Sequence, residues 1–133
     1  MKTFNGLEYQ TWENPITGTW CGYVKLPENH PFIETLKETH KEELFDGKII
    51  DVNNFKGLKV KCHGKLSFGK LYENDTPRFT KGWWIGWDYG HKGDFAPRLK
   101  LKKGMKERFY SEKEVITECK AVIKQVIDAL NVC

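Results

Sequence analysis

The stretch SEKEVITECKAVIKQVIDAL, residues 111–130, constrains this chain most, because it is an amphipathic helix that needs a surface to cover. Val115, Ile116, Cys119, Val122, Ile123, Val126, Ile127 and Leu130 recur at offsets of three and four, and Glu118, Lys120, Lys124 and Asp128 hold the other face. Ser111 followed by Glu114 is a capping-box signature that marks its start. At about 1.5 Å per residue the helix is roughly 30 Å long, enough to lie across several strands.

Three regions supply those strands. In LEYQTWENPITGTWCGYVKLP, residues 7–27, Asn14, Pro15 and Gly18 provide turn chemistry between two aromatic-rich segments, which predicts a hairpin. In LKVKCHGKLSF, residues 58–68, strict alternation places Leu58, Val60, Cys62, Leu66 and Phe68 on one face and His63 among lysines on the other. In GWWIGWD, residues 82–88, the same period separates Trp83, Ile85 and Trp87 from Trp84, Gly86 and Asp88. With the bulkier set as core, Trp84 and Asp88 are expected to share a face with His63. Between the hairpin and the second region, Asn29 or His30 ahead of Pro31 reads as a helix start. Phe32, Ile33, Leu36 and Leu44 give that helix only a thin apolar stripe, so it is expected to be short and peripheral. The expectation is an α+β fold: an antiparallel sheet of four to six strands with the long C-terminal helix on one face, in a single domain spanning 1–133.

At 133 residues, with 30% charged and 14% aromatic side chains, the composition is that of a globular chain rather than a disordered one. No apolar run approaches the roughly 20 residues of a membrane span, and MKTFNGLEYQ lacks a signal-peptide core, so a cytoplasmic protein is expected. Cys21, Cys62, Cys119 and Cys133 are scattered without a C-x-x-C pair, which favours reduced thiols, with Cys62 and Cys119 as small core hydrophobes. The net charge of +4 is uneven: RLKLKKGMKER, residues 98–108, carries six cations against Glu107, suited either to a phosphate-bearing partner or to a solvated edge strand. His40, in KETHKEE, reads as a solvated helix residue.

GWWIGWDYGHKGD, residues 82–94, concentrates the candidate chemistry. Asp88, His91 and Asp94 are three apart with Gly90 and Gly93 between them, and a glycine-hinged loop can fold them around one point. With His63, and with His30 as a further donor, they form a mixed nitrogen and oxygen set suited to zinc, manganese or iron. Such an ion would activate water for phosphodiester hydrolysis. The other reading of the same carboxylates is local hydrogen bonding to loop N–H groups. The aromatics point elsewhere: Trp84, Tyr89 and Tyr23 are candidates to stack a base, with Arg98 and its neighbours on phosphate and Asp88 or Asp94 on a ribose hydroxyl or exocyclic amine; for Trp84, core packing is the equal alternative.

GYVKLPENHP (22–31), CHGKLSF (62–68) and WWIGWDYGHKGD (83–94) together resemble a family of small bacteriophage and prophage proteins. That family is patterned G-Y-V-x-x-P-x-x-H-P, then H-G-x-L-x-[FY], then W-W-x-G-x-D-x-x-H-x-G-D, and the three blocks cover about a quarter of the chain. It is associated with phage immune evasion, in particular anti-CBASS-type sponges that bind cyclic-nucleotide alarm signals without cleaving them. The resemblance implies a ligand such as a cyclic dinucleotide in the cytoplasm of an infected bacterium, with Tyr23, His30, His63, Trp84, Asp88, His91 and Asp94 as the matched positions. Lys65, where a second glycine is commoner, and Tyr89-Gly90, where a smaller pair is usual, depart from the pattern and bear on ligand choice.

Binding alone is the less demanding specification, so the leading expectation is a nucleotide-sequestering protein with no catalytic residues and no cofactor. A phosphodiesterase using a divalent metal on His63, Asp88, His91 and Asp94 is the alternative. A nucleic-acid-binding or protein-interaction module, resting on residues 98–108, is the third. A chain this short encloses a ligand best by pairing subunits, so a homo-oligomer is expected, with Tyr9 and Trp12 serving either its apolar centre or, equally, the core.

Overall fold

The computed structural model describes residues 2–39, 60–63, 66, 68–89 and 108–130. They form a five-stranded antiparallel sheet, a short helix and a long C-terminal helix. The strands are β1 (Lys2–Phe4), β2 (Leu7–Glu13), β3 (Trp20–Lys25), β4 (Phe68–Tyr72) and β5 (Gly82–Asp88), in the spatial order β1-β2-β3-β5-β4. The helices are α1 (Pro31–Thr39) and α2 (Glu112–Leu130).

Local chemistry explains most of these boundaries. Asn5 and Gly6 both have positive φ, 50° and 82°, the geometry of a two-residue Asn-Gly hairpin loop, and it joins β1 to β2. In the β2–β3 turn the Asn14 side chain accepts from the backbone N–H groups of Ile16 and Thr17, while Gly18 N–H donates to the Asn14 carbonyl. The capping box of α2 is formed: Glu114 N–H donates to Ser111 Oγ, and Ser111 N–H donates back to Glu114 Oε1.

The helix lies over β3 and β2. Val115, Cys119, Val122, Ile123 and Val126 are buried against Tyr9, Val24, Trp83, Ile85 and Trp87. The helix comes close because β3 carries a glycine at the crossing. A Cβ on Gly22 would lie 2.6 Å from Trp87 Cζ2 and 3.2 Å from Cys119 Sγ, so the Trp87 indole occupies the space a side chain would need. Ile33 and Leu36 of α1 join this core, and Leu36 is fully buried; Leu44 lies outside the described residues. Tyr9 faces the helix and is buried, so of its two expected roles the core is the one it fills.

The opposite face of the sheet carries a second apolar cluster of Cys21, Tyr23, Phe79 and Trp84, flanked by Trp12, Phe68 and Tyr72. The β4–β5 loop covers it. Phe79 packs edge-on against Trp84 and Tyr23 at centroid distances of 5.0 Å each, and Trp84 Nε1–H donates to the Thr80 carbonyl at 2.8 Å. Thr76 pins the loop by donating its hydroxyl to the Phe79 carbonyl and accepting from Phe79 N–H. Trp84 is therefore fully enclosed by protein instead of facing an open site, a correction to the alternation-based expectation.

Two further expectations change. The described residues of the alternating segment 58–68 do not make one strand: β4 begins its pairing with β5 at Phe68, while residues 60–63 run beside α2. There the Gln125 side-chain amide accepts from Lys61 N–H and donates to the Lys61 carbonyl, both at 2.7 Å, replacing a neighbouring strand. Consequently Val60, Cys62 and Leu66 join the main core, whereas Phe68 joins the second cluster. His63 also moves to the helix side of the sheet, stacked on Tyr89, while Asp88 pairs with Cys21 on the other side. His63 does not share a face with Trp84 and Asp88.

His30 ties the two helices together. Its Nδ1 accepts from Phe32 N–H at 3.0 Å, which caps α1 and leaves the ring proton on Nε2, donated to the Val126 carbonyl of α2 at 2.7 Å. Burial pushes its pKa below the usual imidazole value of 6.5, although the Val126 hydrogen bond opposes the shift. Because the folded state holds the neutral ring, its contribution to stability is complete above the unfolded pKa and is lost as pH falls below it. The urea midpoint should therefore drop between about pH 7.5 and about pH 5.5. His30→Asn keeps a capping acceptor and should flatten that slope; an unchanged slope would exclude His30 as its source.

Candidate functional site

The structure divides the candidate ligand-binding residues among several places. Tyr23 and Trp84 lie in the second cluster, and Asp88 is half-buried at the end of β5 on the same side. His30 is fully buried with both ring nitrogens bonded to backbone. His91, Asp94 and Arg98 lie outside the described residues, as do His40 and residues 98–107 of the basic segment. Among the described residues no three His, Cys, Asp or Glu side chains come together in a metal-ligating group.

His63 and Tyr89 do meet. They stack with centroids 4.4 Å apart and planes 14° from parallel, and Tyr110 completes the group at 4.5 Å from His63 and 4.8 Å from Tyr89. Tyr89 is buried and forms the floor, while His63 and Tyr110 are half-buried. The rings come from three separate stretches: the segment beside α2, the residue after β5, and the lead-in to α2. Alternation places Tyr89 on the helix side, next to Trp87, whose Nε1–H donates to the Tyr89 hydroxyl at 3.2 Å. Burial is the main cause holding the Tyr89 phenol well above its ordinary pKa.

These rings wall a cleft of about 590 Å³ whose other side is α2, through Glu114, Thr117, Glu118, Ala121 and Gln125. Arg108 lies over the Tyr110 ring at 4.6 Å and pairs with Glu114, and Lys61 stands on the rim. Cys62, also in the cleft wall, has its thiol pushed up to about 12 by burial, which disfavours the thiolate there. Cys119 is pushed up to about 12 as well, chiefly by burial.

Tyr110 and Glu118 were not singled out as site residues in the sequence. A signal existed for the second: 114, 118, 121 and 125 form one helical stripe that is polar except for Ala121, a gap in an otherwise long-side-chain face. A larger cleft, about 820 Å³, opens among Leu7, Leu26, Ile33, Leu71 and Trp83. Its Glu8 and Lys25 satisfy one another and Thr80, at 3.0–3.1 Å, and it contains none of the candidate site residues.

No protein-family model matches the chain, and neither does any curated protein or solved structure. Among the described residues no helix is long and apolar enough to cross a membrane.

Proposed function

We propose that the protein binds a small anionic nucleotide in the cleft beside α2, with the base against the His63–Tyr110 wall, and holds it without cleaving it. The observation that carries this reading is the three-ring group of His63, Tyr89 and Tyr110. It forms where the segments 62–68 and 83–94 meet, the second and third of the blocks on which the resemblance to phage proteins rests. Aromatic faces stack any base, and the exposed Lys61 on the rim suits its phosphate. The resemblance to anti-defence sponges directs attention to cyclic dinucleotides.

Calorimetry against cyclic dinucleotides and ribonucleotides, followed by chromatography of the mixture, tests the proposal. The expected result is stoichiometric binding with the ligand recovered intact. Tyr110→Ala should weaken binding by about 1–3 kcal/mol. Absence of binding across the panel would remove the proposal. Metal-dependent turnover of the ligand would establish the phosphodiesterase alternative in its place.

A further inference from the structure

The wall that α2 presents to the cleft contains one polar side chain with no partner among the described residues. Glu114 is held by Arg108 and Ser111, and Gln125 is doubly bonded to the Lys61 backbone. Thr117 donates its hydroxyl to the Lys113 carbonyl, and Ala121 has no polar side-chain atom. Glu118, half-buried, forms no hydrogen bond or ion pair with another described residue. Its charge nevertheless reaches the cleft floor, where it helps to raise the pKa of the Tyr89 phenol and the Cys62 thiol.

A carboxylate accepts hydrogen bonds and donates none. Among nucleobases, guanine alone presents two adjacent donors, N1–H and the 2-amino group, on its Watson–Crick edge. Adenine offers one donor beside an acceptor, and the uracil N3–H is flanked by carbonyls that a carboxylate repels. Two parallel bonds from guanine to one carboxylate are charge-assisted and bidentate, the strongest pairing open to this side chain.

We propose that the cleft is specific for guanine and that Glu118 reads the base edge while His63 and Tyr110 hold its face. The inference rests on the nucleotide reading above and adds to it the identity of the base.

Calorimetry on the full chain with the 5′-monophosphates of guanosine, inosine, adenosine and uridine tests it. Guanosine monophosphate should bind roughly 10-fold or more tightly than the adenosine and uridine nucleotides. Inosine monophosphate, which lacks the 2-amino donor, should fall by a similar factor on the unaltered chain. Glu118→Gln replaces one acceptor by a donor and complements adenine, so the guanine-to-adenine preference should invert. Equal affinity for all four, or a preference unchanged by Glu118→Gln, would overturn the guanine assignment and leave base binding standing. Failure of every nucleotide to bind would overturn the nucleotide reading and this inference with it.

Discussion

Trp84→Ala should lower folding stability by about 3–5 kcal/mol, the range for deleting a large aromatic side chain from a core. Trp84 is fully buried although it faces away from α2, because the β4–β5 loop lays Phe79 across it and takes its indole N–H on the Thr80 carbonyl. Truncation would empty the centre of the second cluster and unseat that loop, leaving Tyr23 and Phe79 around a void. Urea denaturation followed by tyrosine and tryptophan fluorescence measures the loss. Nucleotide affinity should be unaffected under conditions where the variant remains folded, since the proposed cleft lies on the opposite face. A stable Trp84→Ala variant that had lost its ligand would show that this tryptophan is a binding residue after all.

Gly22→Val should cost about 3 kcal/mol, at the upper end of the usual range for overpacking. The first added carbon already meets the Trp87 indole at 2.6 and 2.8 Å and Cys119 at 3.2 Å, so any side chain must push the indole or α2 away. Neither yields easily: Trp87 is 1% exposed and Cys119 is fully enclosed. The collision identifies its own remedy. Trp87→Phe withdraws the atoms that Gly22→Val would strike, so the double variant should be more stable than the sum of the two single losses by about 0.5–3 kcal/mol. Strict additivity would mean that the indole does not occupy the space above Gly22.

Gly86 shows the same device on the other face. A Cβ there would lie 2.5 Å from the Tyr23 ring, so each face of the sheet uses a glycine to receive a neighbouring strand's aromatic ring. The sequence WWIGW carries this information in part. Its apolar residues fall on both faces of β5, the pattern of a strand covered on both sides. An open face for Trp84 requires a one-sided sheet, and the second cluster covers that side.

The elements whose causes are local could be read from the chain. The α2 periodicity and its Ser111–Glu114 box, the Asn14–Gly18 turn and the His30-Pro31 helix start all depend on residues within a few positions of one another, and all are present. Asn5-Gly6, a two-residue hairpin signal, belongs with them. Tertiary structure alone decided which loop covers Trp84, which ring fills the gap at Gly22, and that Gln125 would draw residues 60–63 out of the sheet to set His63 against Tyr89 and Tyr110. The physical reason is that alternation and helical period specify a side chain's direction from its own backbone, whereas what it meets there is supplied by segments tens of residues away, whose placement is settled by packing across the whole core.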